Sequence, residues 1–157
     1  MEKDFNKVVE RLLDVPHWVI DFLPRQVPLE SEGQFFDVEQ YYLRMPRYER
    51  LCNRFADVLL KLNCYYDMLV NRALCDEWVK NPEPTTLVDW LTESMRHGYL
   101  CILVEDESTL ITASSDDTHL TLYNPSSDLL GLVGQLAASA GLFLWQPDSV
   151  LGQGHQP

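Results

Sequence analysis

The chain has 157 residues, enough for one domain of ordinary size and too few for two comfortable ones. About 46% of it is apolar and 23% charged, which excludes collagen-like, coiled-coil-only and wholly disordered chains. Lys plus Arg number 12 against 24 Asp plus Glu, and a net charge of -12 repels phosphate backbones, so nucleic acid is not an expected partner.

The first predicted element is an amphipathic helix over 3–13, with Phe5, Val8, Val9, Leu12 and Leu13 on one side. Asp14 then reads as an N-cap and Pro16 as the first turn of a short helix that carries Trp18, Val19 and Phe22 and ends at Pro24. A loop over 24–33 leads to a helix over 34–45 rich in aromatics: Phe35, Phe36, Tyr41 and Tyr42. The longest helix is predicted over 47–80, bent or straight. Leu51, Phe55, Val58, Leu62, Tyr65 and Leu69 recur every three or four residues along it. Thr86 and Asp89 stand in capping-box positions for a helix over 87–97 that Gly98 stops.

After Gly98 the period changes. Residues 99–105 form a nearly continuous apolar run, and 109–114 and 119–123 alternate, with polar turns between them, as in a three-stranded antiparallel meander. Because the run at 99–105 is apolar on both faces, it belongs in the interior of its sheet. A helix starts within 124–128 and runs to about Ala140, Gly141 stops it, and 142–145 makes a fourth strand. One side of this helix is a small-residue seam of Ser127, Gly131, Gly134 and Ala138, and the other is apolar, so one side is expected to meet the sheet and the other the helical layer or a second subunit. The predicted class is α+β: one domain over 1–147, with a helical part at 1–98 packed on a four-stranded sheet of β-β-β-α-β order at 99–147, then a flexible tail at 148–157. The uncharged stretch 129–147 splits into helix and strand and lacks a basic flank, so no membrane span is expected.

Four cysteines, Cys52, Cys64, Cys75 and Cys101, have no C-x-x-C pairing, and the charged amino terminus has no apolar signal core. Free thiols in the cytoplasm are the expectation, with no metal and no cofactor. No nucleotide loop, nucleophile elbow or paired-histidine motif is present. Asp116, Asp117 and His119 are the one local cluster of acid/base and ligand types, and they carry the alternative reading of a small metal-dependent hydrolase. The acids at Glu105, Asp106 and Glu107 belong to the opposite end of the middle strand, about 20 Å away at ~3.3 Å per residue, so no ion can bridge the two turns.

Charge is unevenly spread. Every base lies at or before Arg96, and residues 97–157 hold seven acids and none. Arg47, Arg50, Arg54, Lys61 and Arg72 fall in one sector beside the apolar stripe if 47–80 is one helix, where they form either a solvated edge or a strip for an acidic partner. The leading functional reading is a non-enzymatic intracellular interaction module that self-associates or binds a basic protein, the strip meeting the base-free half of a second copy.

Overall fold

A computed structural model describes residues 4–28, 30, 32–72 and 77–147. The tail expected at 148–157 and Cys75 lie outside the described residues. The chain is α+β. Helix α1 (Phe5–Leu12) begins at Asp4, whose carboxylate accepts from the Asn6 amide at 3.1 Å. Strand β1 (His17–Asp21) follows, then α2 (Glu32–Tyr42) and α3 (Arg47–Asn63). Next come β2 (Leu69–Arg72), β3 (Val79–Lys80), α4 (Pro84–His97), β4 (Tyr99–Val104), β5 (Thr109–Ser114), β6 (Leu120–Tyr123), α5 (Ser127–Ser139) and β7 (Phe143–Trp145).

The sheet has seven strands in the order β3-β2-β4-β5-β6-β1-β7, every neighbouring pair antiparallel. The four-stranded sheet expected at the carboxy-terminal end is therefore too small. Three of its strands come from the part read as helical. The predicted helix over 16–24 is β1, which pairs with β6 from His17↔Tyr123 to Ile20↔Leu120 and with β7 from Val19↔Trp145 to Asp21↔Phe143. Its Trp18, Val19 and Ile20 suit a pleated, buried surface better than a helix.

The helix predicted over 47–80 ends at Asn63. Asn81, at φ 47, accepts from the Met68 amide at 2.8 Å and from Asn63 Nδ2 at 3.0 Å, and donates to Asp67 Oδ1 at 3.0 Å, holding the 64–68 turn in place. Leu69 and Val70 then pair with Leu103 and Ile102 on β4 instead of continuing the helical stripe. Helix α4 starts at Pro84, ahead of the expected Thr86 cap, with proline where a helix needs no amide donor.

As expected, β4 is interior, between β2 and β5, and its two faces serve two cores. Leu100, Ile102 and Val104 join Phe55, Leu59, Leu62, Leu91, Leu129 and Val133 under α3, α4 and α5. Cys101 and Leu103 join Val8, Val9 and Leu12 of α1 on the opposite face. Within one chain the small-residue side of α5 is open at Gly131, where a Cβ would meet nothing within 4 Å, while one at Gly134 would meet Leu144 at 3.6 Å. Among the described residues, no helix is long and apolar enough to cross a membrane.

Candidate functional site

Helix α2 borders three surface cavities. On one side Tyr41 and Tyr42 join Arg47, Arg50, Leu51 and Arg54 of α3 around a notch of about 200 Å³. At 100° per residue, Glu39, Gln40 and Leu43 fall on the opposite side of α2 from that pair. There, they face Tyr48, Arg96 and the β5–β6 turn across a cavity of about 360 Å³ that includes Asp116 and Asp117. The third cavity, about 390 Å³, lies between Phe35, the 23–28 loop, Asp21, His119 and Trp145.

The notch is built by Arg47. Its Nε donates to the Tyr41 carbonyl at 2.8 Å and its guanidinium carbon lies 3.7 Å from the centre of the Tyr41 ring. It thereby supplies the cation that the last turn of α2 lacks and satisfies an orphan carbonyl there. Tyr42 stands edge-on to Tyr41 at 5.3 Å and packs on Phe22 at 5.3 Å, so the aromatic wall is anchored to the end of β1. Arg54 extends to the end of α5, where a Cβ at Gly141 would lie 3.8 Å from its Nη1. Neither Arg50 nor Arg54 makes an ion pair with a described residue.

Only three of the five predicted partner-binding residues meet. Arg47, Arg50 and Arg54 converge, whereas Lys61 is seven residues further along α3, about 10 Å at ~1.5 Å per residue. Arg72 lies on β2, not on that helix, and it faces Glu93 at 3.7 Å and the Trp90 ring at 4.7 Å.

The predicted hydrolase cluster also divides. Asp116 and Asp117 line the cavity with Glu39 and Arg96, and His119 lines the one with Asp21 and Trp145; Thr118 borders both. Thr118 donates from its hydroxyl to Glu39 Oε2 at 3.2 Å and so ties α2 to the β5–β6 turn. Among the described residues, no three His, Cys, Asp or Glu side chains are grouped to hold a metal.

His119 instead stands near Asp21, one step beyond the Ile20↔Leu120 pair in the β1–β6 register. Asp21 is 7% exposed and accepts from the Phe22 amide at 2.8 Å. Burial pushes its carboxyl above the ordinary range, and His119 and the amides of Phe22 and Leu23 oppose that rise. Burial lowers the imidazole of His17, with a smaller push from His119. A carboxylate beside an imidazole can orient a proton acceptor, but the one hydroxyl side chain among the described residues of this wall, Thr118, is directed to Glu39 rather than to His119. Asp21 and Glu39 escaped the sequence reading, since Asp21 belongs to a strand placed by pairing with distant segments and Glu39 reaches the site through Thr118, 79 residues away in the chain.

Compared with known proteins, the chain matches no protein-family profile, no curated protein and no solved structure.

Proposed function

We propose that the protein is a non-enzymatic interaction module that grips an acidic protein segment in the notch between α2 and α3. The observation that carries this reading is the convergence of Tyr41, Tyr42, Arg47, Arg50 and Arg54 on one cavity. Arginine and tyrosine bury large area, donate directional hydrogen bonds and concentrate binding energy in protein interfaces. Arg47 is already oriented by Tyr41, which lowers the ordering cost of engaging a carboxylate. Around the notch, Tyr41 and Met45 remain exposed and offer apolar contact. The hydrolase alternative loses support because its three residues face separate cavities. An exposed free thiol at Cys64 supports a reducing compartment such as the cytoplasm.

The test is fluorescence anisotropy of a synthetic Glu-rich peptide carrying one aromatic residue, titrated with the full chain. Wild-type protein should bind in a salt-sensitive way. Reversal of Arg50 and Arg54 to Glu should weaken binding about tenfold or more, a loss of ~1.4 kcal/mol. Lys61→Glu and Arg72→Glu, away from the notch, should leave it within about twofold. Equal binding by the Arg50/Arg54 variant, or none by the wild type, would remove the notch from consideration.

A further inference from the structure

Helix α2 separates a basic flank from an acidic one. The notch offers Arg47, Arg50 and Arg54, three of the twelve bases in the chain. The cavity across α2 offers Glu39, Asp116 and Asp117 against a single base, Arg96, which stacks 4.8 Å from the Tyr48 ring. Along the helix itself Phe36 is 57% exposed, Val38 38% and Tyr41 52%, with Met45 just beyond at 49%, and Gln34 and Asp37 are exposed among them. A helix whose exposed side carries Phe, Val and Tyr around one acid, with opposite charges on its two flanks, offers large apolar side chains between two complementary charged borders.

Resting on the interaction reading above, we propose that the occupant of this surface is a second copy of the chain, docked about a two-fold axis that runs along α2 and sets it parallel to the α2 of the other copy. A two-fold places each patch opposite whatever lies across the axis. Here the notch of one copy meets the acidic cavity of the other, and the same contact recurs in reverse. An unrelated acidic segment would neutralise the notch but would be repelled by Glu39, Asp116 and Asp117 close by. A second copy satisfies both flanks at once and covers the exposed Phe36, Val38 and Tyr41 between them. With each copy at -12, long-range repulsion opposes encounter, so the local charge pairs and the α2 contact must supply the affinity.

The experiment is sedimentation velocity on the full chain over a concentration series. Wild-type protein should pass from monomer to dimer. Arg50→Glu with Arg54→Glu, and separately Asp116→Lys with Asp117→Lys, should each weaken the dimer at least tenfold, since each sets like charges together twice. Mixed one to one, the two variants should recover a dimer within about threefold of the wild-type affinity, because every contact in the mixed pair is again opposite in sign. Recovery itself shows that both variants fold; if the Asp116/Asp117 variant is unfolded by circular dichroism, Glu39→Lys takes its place in the mixture. A dimer that ignores the substitutions, or variants that fail to recover on mixing, would overturn the proposal. So would a wild-type monomer at every concentration, and the peptide titration would then separate two cases. Peptide binding by that monomer leaves the notch with a foreign acidic partner, and no binding removes both readings.

Discussion

Asp21 is a carboxylate placed on an interior strand, 7% exposed, and its energetics depend on pH. Burial raises its folded-state proton affinity above that of the unfolded chain. Between the two values the folded protein holds a proton that the unfolded chain has released, so stability falls as pH rises through that window and the penalty is complete above it. Asp21→Asn keeps an acceptor for the Phe22 amide and removes the charge. Its melting temperature should therefore exceed that of the wild type at pH 7, with the difference vanishing below about pH 3.9, the unfolded carboxyl range. A lower melting temperature at pH 7 would show that attraction to His119 outweighs burial. A different balance holds at Glu105, whose backbone is left-handed at φ 53, as are Asp106 at 54 and Glu107 at 69. Such a run costs about 1 kcal/mol or more per residue for side chains of this kind. It is offset by the Glu105 carboxylate, which accepts from Thr109 Oγ1 at 2.8 Å and from the amide and hydroxyl of Ser126, the N-cap of α5.

Among the elements, those with purely local determinants were legible. Helix α1 shows its stripe of Val8, Val9 and Leu12, α5 shows its start within 124–128 and the Gly141 stop at φ 75, and the β4–β5–β6 meander shows its change of period. The failures share one cause. Helical spacing of Tyr65 and Leu69 extends past Asn63, yet pairing with β4 takes Leu69 and Val70 into the sheet, and nothing near them in sequence announces that partner. In the same way Asp14 and Pro16 give a sound local argument for a helix that β6 and β7 override. The site followed the elements: Arg47, Arg50 and Arg54 stay together because α3 is a helix there, and Arg72 leaves because it is not. Ile20 measures how far β1 is integrated. It is 0% exposed in the core with Leu120 and Leu122, so Ile20→Ala should cost about 2–5 kcal/mol in urea unfolding. A loss under about 1 kcal/mol would mean that this segment is peripheral.

At the scale of the whole molecule, the strand order decides how the chain comes apart. Strand β1, from the first 21 residues, lies between β6 and β7, and β2 and β3 extend the sheet beyond β4 on the other side. Strands from the first 80 residues therefore flank the 99–123 meander on both sides, and losing them would strip β4, β6 and β7 of a neighbour. The pairing of His17 with Tyr123 closes a loop of about a hundred residues, an entropic cost of ~1.5RT ln n that is recovered only when the whole sheet forms. Unfolding should then be a single transition. Tryptophans report from both ends of the sheet: Trp18 and Trp145 on β1 and β7, Trp78 beside β3, and Trp90 on α4. With Trp18 and Trp145 replaced by Phe, the remaining fluorescence from Trp78 and Trp90 should lose its native signal at the same urea concentration as the far-ultraviolet dichroism of the same protein, and the converse pair of replacements should behave alike. Removing residues 1–23 should leave β6 and β7 without the strand that joins them and give a chain with no cooperative transition. Two separated transitions, or a folded chain after that deletion, would mean that 99–147 holds together without β1 and that the strand merely decorates an independent carboxy-terminal unit.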